Sequence, residues 1–66
     1  MADDRDRLMT LAEVAAYLGL SRGSLYQRRY LGNAPAGFRL GGSLRFRRSE
    51  VDAWLEQNRD ERRDVA

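Results

Sequence analysis

The sequence predicts a small α+β domain in the order helix, helix, two-stranded hairpin, helix. Three observations carry that expectation. Thr10-Leu11-Ala12-Glu13 is a capping-box sequence followed by an apolar stripe at helical spacing. Ser21, just beyond Gly19, offers a second helix start. From Phe38 onward the pattern changes to period two around Gly41-Gly42-Ser43.

In the first helix the Thr10 hydroxyl can accept from the third residue's N–H while Glu13 reaches back. Leu11, Val14, Ala15 and Leu18 then fall on one face, and Gly19 is placed to end the helix in a left-handed conformation. The second helix runs from Arg22 to Tyr30 with Leu25 as its main apolar anchor. Two short helices separated by a few residues including a glycine make a helix-turn-helix.

Residues 31–37 contain two glycines, an asparagine and the one proline of the chain, and read as a loop. In the hairpin, Phe38, Leu40, Leu44 and Phe46 alternate with Arg39, Arg45 and Arg47. A loop symmetric about Gly42 sets Leu40 opposite Leu44, Phe38 opposite Phe46 and Arg39 opposite Arg45. All the apolar side chains then share one face, and like charges face each other on the other, an arrangement an anion would relieve. The third helix is expected to start at Ser49, with Asp52 as its capping-box partner and Val51, Trp54 and Leu55 as its apolar face.

One domain over residues 8–58 follows, with flexible charged tails at 1–7 and 59–66. A chain of 66 residues supports a single small core, because only about 60% of its extended surface is buried on folding. The expected core is Leu11, Val14, Leu18, Leu20, Leu25, Phe38, Leu40, Leu44, Phe46, Val51, Trp54 and Leu55.

Composition narrows the function. The chain has no Cys and no His, which removes disulfides, thiolate metal sites and the commonest general base. No apolar run is long enough for a membrane span or a signal-peptide core, so a soluble protein of the cytoplasm is expected, with no membrane partner. The net charge of +2 conceals an uneven distribution. Residues 21–48 hold Arg22, Arg28, Arg29, Arg39, Arg45, Arg47 and Arg48 with no Asp or Glu. Such a block is the electrostatic footprint of a polyanion binder, set against the plainer reading of a solvated basic face.

Residues 9–26, Met-Thr-Leu-Ala-Glu-Val-Ala-Ala-Tyr-Leu-Gly-Leu-Ser-Arg-Gly-Ser-Leu-Tyr, resemble the opening of the small winged helix-turn-helix proteins of the excisionase family, relatives of the DNA-binding domain of MerR-type regulators. Residues 38–55 resemble that family's wing and closing helix. The resemblance implies a winged helix-turn-helix fold. It also implies an excisionase, or recombination directionality factor, of a bacterial cell or phage-infected host. Such a protein binds and bends attachment-site DNA cooperatively and assists a tyrosine or serine integrase in excision. The partners would be double-stranded DNA, the integrase and further copies of the chain on adjacent sites. The alternatives are a stand-alone MerR-like transcription regulator and, from another class, a protein-interaction adaptor or antitoxin-like module.

By the same resemblance the second helix enters the major groove with Arg22, Ser24, Tyr26, Gln27 and Arg28 as contact candidates. The hairpin serves as a wing, with Gly42 and Ser43 at its tip and Arg39, Arg45, Arg47 and Arg48 as its basic residues. Arg is suited to bidentate recognition of guanine or phosphate and Gln27 to adenine, although Gln is also an ordinary exposed helix residue. Arg28 either packs with its stem or reads a base. Arg48 either binds phosphate or pairs with Asp52. Tyr30 is expected to be partly buried and Tyr26 free to donate to a phosphate, with Tyr17 a structural edge residue and Arg29 paired internally to Glu13 or Glu50. The Ser and Tyr residues have no His or Lys to activate them, so no enzyme activity, metal or cofactor is expected.

Overall fold

The computed structural model describes residues 7–60. The expected tails at 1–7 and 59–66 lie outside these residues except for Arg7, Arg59 and Asp60. The element order is β1 (Leu8–Thr10), α1 (Leu11–Leu18), α2 (Arg22–Tyr30), β2 (Phe38–Leu40), β3 (Ser43–Arg47) and α3 (Arg48–Gln57).

The helix starts follow their sequence signals. Thr10 Oγ1 accepts from Glu13 N–H at 3.1 Å, and Glu13 Oε1 accepts from Thr10 N–H at 2.9 Å, closing the capping box of α1. Ser21 Oγ accepts from Ser24 N–H at 3.1 Å at the start of α2. A left-handed glycine follows both helices, Gly19 at φ 74° as the cap of α1 and Gly32 at φ 78° one residue past the cap of α2. In each case the N–H groups of the glycine and of the next residue return to the last turn. Leu20 donates to Ala15 O at 2.8 Å after α1, and Asn33 donates to Arg28 O at 2.7 Å after α2.

The sheet differs from the expected hairpin in two ways. It has three antiparallel strands in the order β1-β3-β2, because Leu8, Met9 and Thr10 pair with Arg47, Phe46 and Arg45. The three-residue strand β1 ends on Thr10, the first residue of the capping box, and is too short to declare itself by periodicity. The β2–β3 register is also shifted by one: Phe38 lies opposite Arg45, Arg39 opposite Leu44 and Leu40 opposite Ser43. The loop is the two-residue Gly41-Gly42 rather than a three-residue turn, with Gly41 at φ 64°, as tight hairpins between twisted strands require.

A slip of one residue changes which side chains share a face. Leu44 and Phe46 turn to one face with Arg39, while Phe38 and Leu40 share the other with Arg45 and Arg47. The expected Arg39–Arg45 opposition therefore does not occur, and Arg39 lies on the face opposite Arg45 and Arg47.

The third helix starts at Arg48 after Arg47 as N-cap, with no side-chain cap bond, so the expected cap at Ser49 is not made. Pairing with β1 keeps the chain extended through Arg47, and Arg48 N–H then donates to Arg7 O at 3.2 Å. Ser49 is drawn inside the first turn.

The buried core is Met9, Val14, Ala15, Leu25, Phe46 and Val51, with Leu11, Leu18, Leu20, Ala34 and Leu44 packed around it. Met9 enters through the strand that the sequence reading lacks. Leu40 and Leu55, expected inside, are 52% and 44% exposed, and Phe38 and Trp54 are half-buried. Leu40 is turned outward by the register shift. Among the described residues no helix is long and apolar enough to cross a membrane.

Candidate nucleic-acid interface

The geometry of α2 follows from Leu25. At about 100° per residue, Arg29 returns to the Leu25 side, whereas Gly23, Gln27 and Tyr30 fall within about 40° of the opposite direction. Leu25 is fully buried and Gln27 is exposed. Tyr30 is 89% exposed, which corrects the expectation that it is partly buried. Tyr26 is exposed, as expected.

Arg29 makes neither ion pair expected of it. Its guanidinium lies 5.9 Å from the Phe46 ring centroid, while Glu13 pairs with Arg7 at 3.3 Å and Glu50 with Arg47 at 3.6 Å. No charge pattern signals this cation–π contact, which depends on folding to bring Phe46 of β3 to Arg29 of α2.

Arg22, Ser24, Tyr26, Gln27 and Arg28 are all exposed on one helix. Ser24 gives its N–H to the Ser21 cap. A shallow depression of about 310 Å³ lies beside them, lined by Ser24, Gln27, Arg28, Leu31 and Asn33. A second, of about 290 Å³, is lined by Leu18, Leu20, Arg28, Trp54, Leu55 and Asn58. Arg28 is exposed and lines both. Leu31 and Asn33 join this surface because the left-handed Gly32 folds the chain back beside the last turn, and that glycine is the one local signal that points to them.

The arginines separate into two groups. Arg45 Nη1 donates to Leu44 O at 2.9 Å. Arg47 pairs with Glu50 and stacks 5.2 Å from the Phe38 ring centroid. Arg48 lies 3.8 Å from Asp52 and 5.0 Å from the Tyr17 ring centroid, and Tyr17 donates its hydroxyl to Asp52 at 2.7 Å. The pairing with Asp52, one of the two readings of Arg48, is made. By contrast, the guanidiniums of Arg22, Arg28 and Arg39 engage no other described residue. Gly42 and Ser43 are exposed at the wing tip.

Two helices joined through Gly19-Leu20-Ser21, the second presenting an exposed basic face and followed by a glycine-tipped β wing, define a winged helix-turn-helix domain. Residues 8–59 match the family described as helix-turn-helix domain, and the chain belongs to that family, which includes excisionase-like DNA-binding domains. No curated protein matches the chain.

Proposed function

We propose that this protein binds duplex DNA, with α2 in the major groove and the β2–β3 wing against the neighbouring backbone or minor groove. The observation that carries this reading is the exposed α2 surface. Arg22 and Arg28 leave their guanidiniums unengaged there beside Ser24, Tyr26 and Gln27. Two guanidiniums desolvated against another protein's apolar surface would be unfavourable, whereas phosphates and guanine edges pair with them bidentately. Membership of the helix-turn-helix family supports the same reading.

Within that function we assign the chain the role of a recombination directionality factor of the excisionase type, on the resemblance of residues 9–26 and 38–55. It acts in the cytoplasm without catalysis, metal or cofactor, bending attachment-site DNA to help a tyrosine or serine integrase excise. A module of this size covers about 600–1,000 Å² of interface, so several copies on adjacent sites supply the affinity.

Gel-shift titration on duplex DNA at several salt concentrations tests the reading. Three unengaged arginines correspond to a slope of about −3 in log affinity against log salt, at about −0.9 per neutralised phosphate. No binding at low salt would refute it.

A further inference from the structure

Gly23 is a glycine that the fold does not require. Its φ is not positive, and a Cβ built on it meets nothing within 4 Å. Neither backbone conformation nor packing excludes a side chain there. A helix is moreover a poor place for glycine, which loses more backbone freedom on ordering than any other residue. Gly19, Gly32 and Gly41 adopt left-handed conformations, and Gly37 is pressed against Phe46, so each of these has an internal reason that Gly23 lacks.

The position of Gly23 supplies an external reason. It lies on the side of α2 opposite Leu25, in one stripe with Gln27 and Tyr30 at i, i+4 and i+7. Long side chains surround it, with Arg22 before it and Tyr26 and Gln27 one turn on, all exposed. Gly23 itself is exposed and adds no side chain to this outward face, with open space where a Cβ would stand. Arg22 and Arg28, both unengaged, flank the stripe, and the segment from 21 to 48 has no acid to repel a polyanion.

We infer that Gly23 is the point of closest approach between α2 and the DNA, setting how deeply the helix seats so that Gln27 reaches a base edge. This rests on the proposed DNA function and adds a specificity-determining residue to it. A side chain at 23 would hold the helix off the groove floor. The arginines, on long stems, would still reach phosphates, whereas the shorter Gln27 would lose its base.

The test uses the whole chain. A duplex sequence is first selected by the wild type from a randomised pool, and Gly23→Ala and Gly23→Leu are then compared with it in thermal melting and in titrations on the selected and a scrambled duplex. The expected result is a melting temperature equal to or above wild type for both variants. Gly23→Leu should also lose about tenfold or more in affinity for the selected duplex, with the affinity for the scrambled duplex and the salt slope little changed. Wild-type affinity in Gly23→Leu would overturn the inference while leaving the DNA function standing. A parallel fall in melting temperature in both variants would also overturn it, because Gly23 would then serve the fold. Failure of the wild type to bind any duplex at low salt would remove both.

Discussion

Gly37 and Phe46 are packed so closely that a methyl group at residue 37 would stand 2.9 Å from Cε2 of the Phe46 ring and 3.2 Å from Cδ2 and from the Arg45 carbonyl oxygen. The ring is fully buried and carries Arg29 against it, so it has little space into which to move. Gly37 enters β2 and Phe46 lies on β3, so this contact joins the wing to the core. Gly37→Ala is expected to destabilise the domain by about 1–3 kcal/mol through overpacking, measured by urea denaturation. A loss under about 0.5 kcal/mol would show that the ring yields freely.

The chain Arg48–Asp52–Tyr17 ties α1 to the first turns of α3 through a 2.7 Å hydrogen bond and a cation stacked on a ring. Tyr17→Phe removes the hydroxyl alone, and a loss of about 1 kcal/mol is expected by thermal or chemical denaturation. DNA affinity, compared where both proteins are folded, should remain at the wild-type value.

The two groups of arginines separate binding from stability. Arg22→Ala, Arg28→Ala and Arg39→Ala should each reduce the magnitude of the salt slope by about 0.9 with melting unchanged. Arg48→Ala should instead lower stability by about 0.5–1 kcal/mol and leave the slope in place. Slopes from filter binding and melting by circular dichroism decide this, and the reverse pattern would exchange the roles.

Thr10 closes a reciprocal capping box at the point where β1 becomes α1. Thr10→Ala is expected to cost about 1 kcal/mol, and Thr10→Ser to restore most of it. Hydrogen exchange at the Glu13 amide should report the same loss locally, since that N–H donates to Thr10 Oγ1 at 3.1 Å.

Local signals made the two amino-terminal helices legible. Caps, left-handed glycines and apolar spacing act within one or two turns, so Thr10, Gly19, Ser21 and Leu25 indicate their roles without reference to the rest of the chain. The same reading placed Arg22, Ser24, Tyr26, Gln27 and Arg28 on one exposed helix. Tyr30 is the exception, expected to be partly buried although helical spacing from Leu25 turns it outward.

Local signals thus carry the identity and order of the helices and wing and the acid-free basic segment they share. The tertiary structure decided which residues meet between elements. A pairing partner thirty-seven positions away recruited Met9 as a strand residue, a two-residue glycine loop chose the wing register, and that register separated Arg39 from Arg45 and Arg47. The physical reason is range. Strand pairing and ring stacking draw their energy from partners brought together only by folding, and a shift of one residue, invisible in composition, moves every side chain of a strand to the opposite face.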